Sequence, residues 1–217
     1  KTKAWCIIGS PAFSLHGEDD FQFFNRAYML TPQAEISSVY DKIHLVPFGE
    51  YVPLGKYLTF LDKLTSQAGD FSPGTANAPP LAFKGNQAGI LICFEIIFPE
   101  LASAVVKNGA DLLVTMTNDA WFGHTSAPLQ HFSMAVFRAV ENRRSVARAA
   151  NTGISGFIDP GGHIAGATSL FETTTLTRQV ACLTSISFYT RHGDVFARLC
   201  LLAGFLLFLP LDGKRLS

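Results

Sequence analysis

The sequence predicts an α/β layer architecture built on a mixed sheet. Three observations carry that expectation. The 217 residues are 48% hydrophobic and 16% charged, enough apolar material for one large core and too much for a disordered chain. Short apolar runs of strand length alternate with longer segments of helical period. Between Ala88 and Thr117 the order is strand, helix, strand, which is a βαβ unit.

Taken in chain order, Ala4 to Gly9 reads as a strand. Asn25 to Leu30 and Ile36 to Leu45 flank the turn Thr31-Pro-Gln-Ala-Glu35 as a hairpin. Tyr57 to Thr65 predicts a short helix. Ala88 to Cys93 is a buried strand, Pro99 to Asn108 a helix ending near Gly109, and Asp111 to Thr117 a second strand. Pro128 to Ala150 predicts one long helix, with Leu129, Phe132, Ala135, Val136, Ala139 and Val140 on its apolar face and Arg138, Glu141 and Arg144 opposite. Ile154 to Ile158, the turn Asp159-Pro-Gly-Gly162 and a strand from Leu176 to Ser187 complete the pattern.

The two ends predict an organisation larger than this domain. Lys1 to Gly9 opens directly in a strand-like run without an initiator Met or a signal peptide, which reads as a fragment boundary. Val195 to Leu211 is almost wholly apolar on every face, interrupted by Arg198, and is followed by Lys214 and Arg215. At 1.5 Å per residue such a run covers roughly 25 Å, at the short end of what spans a bilayer. We therefore expect a catalytic domain over residues 1–190 and a C-terminal transmembrane helix with a short tail over 191–217. A docked terminal helix is the alternative.

Charge and cysteine usage exclude several classes. Seventeen basic and seventeen acidic residues cancel, so nucleic-acid binding is disfavoured. Cys6, Cys93, Cys182 and Cys200 are scattered, with no C-x-x-C, and His44, His124 and His131 lack metal-ligand spacing. No metal or disulfide scaffold is indicated. The absence of a phosphate loop and of a dinucleotide fingerprint leaves no cofactor to expect.

Three segments carry chemistry. Cys93 ends the apolar run Gly89-Ile-Leu-Ile, where a thiol at a strand edge can meet substrate, whereas one inside a sheet is usually inert packing. Residues 40–53 bring Lys42 and His44 onto one strand face before Pro47 breaks into a Phe-Gly-Glu turn at Glu50. Residues 117–124 follow the strand after the cysteine's helix, and so end on the same sheet edge as Cys93. A lysine beside a thiol stabilises its thiolate and, later, the oxyanion of a tetrahedral intermediate.

The stretches DKIHLVPFGEYVP (residues 41–53), GILICFEIIFPE (89–100) and NDAWFGHTSAPLQHF (118–132) together resemble the nitrilase superfamily, and in detail its membrane-bound N-acyltransferase branch. The resemblance implies an αββα sandwich, partial here, and a Glu-Lys-Cys triad in which Cys93 is the nucleophile, Lys42 the lysine and Glu50 an accessory glutamate. It implies Phe94 and Glu95 as oxyanion or supporting residues, and Asn118, Trp121 and Phe122 as candidates for the substrate pocket. The general-base Glu of that pattern has no match here and is expected outside this chain, so the fragment alone is expected to be inactive. The implied reaction passes an acyl chain from a phospholipid, through a Cys93 thioester, to the α-amino group of a lipoprotein's diacylglyceryl-cysteine. The implied partners are the phospholipid donor, the diacylated apolipoprotein and the membrane, for a monomer with its catalytic domain on the periplasmic side of a bacterial inner membrane.

Two other readings stay open. A soluble nitrilase-like amidase would share the thiol chemistry but act on a small amide. A membrane-tethered binding domain would keep the fold without catalysis.

Overall fold

The computed structural model describes residues 3–15, 21–53 and 70–208. Two sheets organise them. Strands β1 (Cys6–Leu15), β2 (Phe21–Leu30) and β3 (Ile36–Asp41) form an antiparallel three-stranded sheet in that order. The second sheet has six strands in chain order, β4 (Leu81–Phe83), β5 (Asn86–Ile92), β6 (Leu112–Asn118), β7 (Val146–Asn151), β8 (Gly156–Ile158) and β9 (Ile164–Ala167). Its centre, β5-β6-β7, is parallel, while β4, β8 and β9 run antiparallel to their neighbours.

Helices α1 (Pro99–Lys107) and α2 (Ala127–Asn142) cover one face of the larger sheet. There Leu91, Val106, Leu113, Phe132, Ala135, Ala139 and Val146 form one buried cluster. Gly89 lets α1 approach β5, since a Cβ at that position would lie 2.8 Å from Ala110 Cβ and 2.9 Å from Val105 Cγ1. On its other face the sheet packs against the smaller one through Ala27, Met29, Tyr40, Leu81, Ala88, Ile90 and Ile92. The described layers are thus helix, sheet, sheet. This is a nitrilase-like α/β fold, in which the three-stranded sheet leaves Phe13, Phe21, Phe23 and Ile36 exposed.

Several sequence expectations need correction. The long helix stops at Asn142, where Arg143 takes a left-handed cap, and Val146–Asn151 becomes a strand. The buried face of α2 is also rotated from the expected one: Leu129 and Val140 are exposed, while Arg138 and Arg144 are buried. Burial of these cations is possible because carbonyls meet them: Arg138 donates to Ile97 O at 2.9 Å, and Arg144 to Ala110 O at 2.8 Å and Ser185 O at 2.7 Å. β1 runs past Gly9 to Leu15, and β3 ends at Asp41 rather than Leu45.

Residues 176–187 form no ladder. They are tied down by single bonds instead, such as Ser145 Oγ to Ala181 O and Leu183 N to Asp111 O. The helix expected over 57–65 lies outside the described residues. Helix α3 (Phe188–His192) follows, with Thr190 buried against Asn142.

Helix α4 (Val195–Phe208) has no buried residue, and Phe196, Leu201, Phe205, Leu207 and Phe208 are largely exposed. Its 14 residues extend roughly 21 Å, against about 30 Å of bilayer hydrocarbon. No helix among the described residues is long and apolar enough to cross a membrane, so the expected spanning helix is not formed by them.

Candidate active site

Cys93 follows directly on β5 and opens a 3-10 turn over Cys93–Ile97. Its φ of 54° is left-handed, a region that non-glycine residues enter at a cost and hold only when neighbours fix them. The geometry turns the chain sharply at the strand end. Cys93 is half-buried, packed at the margin of the cluster between the sheets together with Ile43.

Lys42 is just beyond the end of β3 and almost wholly buried, with 1% of its surface exposed. Its Nζ donates to Glu50 Oε2 at 2.6 Å, and the same oxygen accepts from Val46 N at 2.8 Å. Glu50 Oε1 accepts from Asn25 Nδ2 at 2.9 Å. A buried ammonium needs such a partner, because removing one member of a buried pair costs about 3–5 kcal/mol. The expectation that Lys42 and His44 share a strand face does not hold. Lys42 turns to Glu50, whereas the His44 ring stacks on Phe98 with centroids 3.9 Å apart.

Glu95 joins the two segments. It is fully buried, and its Oε1 accepts from Ile43 N at 2.7 Å and His44 N at 3.0 Å. Its Oε2 accepts from Ile92 N at 2.7 Å, and the Tyr40 hydroxyl donates at 3.0 Å to both oxygens. The chain around Lys42 is thereby stitched to the chain around Cys93. Burial pushes the Glu95 carboxyl up, against the backbone N–H groups of His44, Ile92 and Ile43 that pull it down. Burial and the neighbouring Glu95 push the Tyr40 phenol far up, so it remains a donor.

The third segment contributes a residue not singled out from sequence. Asp119, at the end of β6, is buried, and His131 Nδ1 and Arg148 Nη2 lie 3.0 and 2.7 Å from its two oxygens. Burial raises this carboxyl, but the His131 bond, the Arg148 charge and the Thr117 hydroxyl outweigh it and hold the group below the usual carboxylate range. His131 Nε2 lies 3.1 Å from the Cys93 carbonyl. Gly153 closes the nest, since a Cβ there would collide with Asp119.

The pocket candidates separate. Asn118 Oδ1 accepts from Ala120 N at 3.2 Å and Asn151 Nδ2 at 3.3 Å, shaping the turn. Phe122 meets His131 edge-on with centroids 5.9 Å apart. Trp121 is 79% exposed and fills no core. Phe94 packs edge-on against Phe98 at 5.4 Å. Asn25, Tyr40 and Arg148 escape a local reading because their partners Glu50, Glu95 and Asp119 lie 25, 55 and 29 residues away. Among the described residues no group of His, Cys, Asp and Glu could hold a metal ion.

Two face-packed sheets with helices on one side, and a cysteine at a strained strand end whose segment is stitched to that of a buried Lys-Glu pair, define the nitrilase-like class. The chain belongs to the carbon-nitrogen hydrolase family, whose model matches residues 1–185. It is 54% identical over 91% of its length to an apolipoprotein N-acyltransferase of Geobacter metallireducens, covering 38% of that protein. It is 37% identical over 97% of its length to one of Pseudomonas aeruginosa PAO1, covering 40% of it. The chain thus spans about two fifths of the curated relatives it matches. Among solved structures, a carbon-nitrogen hydrolase of Helicobacter pylori covers 98% of this chain and 70% of its own, with a TM-score of 0.61 at 15% identity. An amidase of Nesterenkonia sp. AN1, seen with acrylamide added to its active-site cysteine, covers 77% of this chain and 60% of its own, with a TM-score of 0.53 at 24% identity. These two likenesses concern the fold alone.

Proposed function

We propose that this chain carries the acyl-transfer site of an enzyme of lipoprotein maturation, with Cys93 as its nucleophile. The observation that carries the reading is the stitch by Glu95, which sets the buried Lys42-Glu50 pair beside the Cys93 turn. In the first half-reaction the Cys93 thiolate attacks a phospholipid ester carbonyl. A C–S bond forms, the ester C–O bond breaks, and the lysophospholipid leaves with a proton. In the second, the α-amino group of a diacylglyceryl-cysteine attacks the thioester. A C–N bond forms, the C–S bond breaks, and the amine's proton passes to a base.

Lys42 and the Phe94 N–H are the donors assigned to the oxyanion in both steps. Glu50 keeps the ammonium oriented. Both Glu50 and Glu95 are occupied by the donors described above, so the general base is assigned to a glutamate outside the described residues, as the resemblance implies. Phe122 and the exposed Trp121 are assigned to the mouth that admits the acyl chain. We place the catalytic domain within residues 1–190 of a monomer on the periplasmic side of a bacterial inner membrane, with residues 191–217 as its apolar anchor. The apolar surface of α4 supports the anchor, but not the side of the membrane.

The test uses the complete reading frame in membranes and follows label from a phospholipid to a diacylated lipopeptide. Cys93→Ala abolishes transfer on this reading. Transfer unaffected by the substitution removes Cys93 as nucleophile. Hydrolysis of small amides without lipid transfer would favour the amidase.

A further inference from the structure

The left-handed turn at Cys93 needs restraint beyond the 3-10 turn it opens. The Cys93 carbonyl faces His131 Nε2 at 3.1 Å. A carbonyl oxygen only accepts, so Nε2 carries a proton. Nδ1 of the same ring lies 3.0 Å from Asp119 Oδ1, an acceptor, and 3.1 Å from Arg148 Nη2, a donor. A neutral ring accepts from Arg148, and an imidazolium donates to Asp119. The Nε2 proton is retained in either charge state.

The ring's neighbours are fixed in turn. Thr117 Oγ1 donates to Asp119 at 2.8 Å, and Arg148 Nε donates to Ile154 O at 3.0 Å. Asp119, His131 and Arg148 are all at least nine-tenths buried. Arg148 also lies within electrostatic reach of Cys93, and its buried Nη1 has no partner among the described residues. A chain of charged and hydrogen-bonded groups thus runs from the end of β6 and the middle of β7 through α2 to the carbonyl of the thiol's own residue.

We propose that Asp119, His131 and Arg148 are positioning residues that pin the Cys93 carbonyl and hold its thiol in register for acyl transfer. This rests on the acyl-transfer reading above. The decisive comparison sets His131→Gln, whose amide N–H can reach the Nε2 position, against His131→Asn, which reaches only the Nδ1 position beside Asp119. Both are measured for phospholipid-to-lipopeptide transfer in the complete protein. His131→Gln keeps kcat within about tenfold, whereas His131→Asn loses about a hundredfold with KM little changed, because small displacements of a reacting group cost about that much.

A purely structural role predicts the reverse order, since His131→Asn preserves the buried contact with Asp119. Equal rates, or the faster rate for His131→Asn, overturn the proposal. Should both variants fail to fold, 15N NMR of the unsubstituted, histidine-labelled protein decides. A protonated His131 Nε2 at neutral pH is expected, and an unprotonated one overturns the proposal without reference to transfer. If Cys93→Ala leaves transfer intact, the acyl-transfer reading fails instead.

Discussion

Two buried carboxylates flank the Cys93 turn, and they are held in opposite ways. Glu95 is satisfied by neutral donors, three backbone N–H groups and a phenol, whereas Asp119 is satisfied by a guanidinium, an imidazole and a hydroxyl. Burial wins at Glu95 and pushes its carboxyl up; charge wins at Asp119 and holds its carboxyl down. The first is a stitch between chain segments. The second is an ion pair that depends on its charges.

That contrast predicts unequal costs of substitution. Asp119→Ala leaves Arg148 buried without its counter-charge and should destabilise the protein by about 3–5 kcal/mol, read as a lower urea midpoint. A near-neutral result would mean that water or another acceptor already shields Arg148. Gly153→Ala attacks the same nest from outside. Its Cβ must displace Asp119, for an expected loss of about 1–3 kcal/mol in the same measurement. Glu95→Gln turns one acceptor oxygen into a donor facing backbone N–H groups, which should cost about 1–3 kcal/mol.

The pH dependence sharpens the comparison, because the two shifts have opposite sign. Asp119 has a depressed folded value, so its contribution is present above the usual carboxyl range and is lost as pH falls through that depressed value. Glu95 has a raised folded value, so its contribution is full below the usual range and is lost as pH rises through that value. Melting curves between about pH 3 and 7 for Asp119→Asn and Glu95→Gln should therefore differ from the unsubstituted protein with opposite slopes. Parallel slopes would refute the assignment. The smallest effect is expected at Trp121, where Trp121→Ala should change stability by less than about 0.5 kcal/mol while, on the proposed acyl-transfer reading, raising KM for the phospholipid.

The same contrast explains what could be read from the chain. The hairpin around Thr31–Glu35, the βαβ unit and the strand that ends at Cys93 follow from local period and breakers, and all three are present. The pairing of Lys42 with Glu50 is separated by only eight residues and was carried by one motif. The Asp119 nest joins β6, α2 and β7, and nothing local announces it. Val146-Ala-Arg-Ala-Ala-Asn151 is rich in helix formers, and no glycine marks the end of α2, so Arg148 reads as part of a helix. Parallel pairing with β6 overrides that propensity and brings the guanidinium to Asp119.

The central claim is that Cys93 bears the acyl group. The most direct measurement incubates the complete protein, expressed in membranes, with labelled phospholipid and no acceptor amine, then locates the label by peptide mass spectrometry. A hydroxylamine-labile acyl group on Cys93 is the predicted result. Label on another residue, or none on Cys93 in a preparation that transfers acyl chains once acceptor is added, would contradict it.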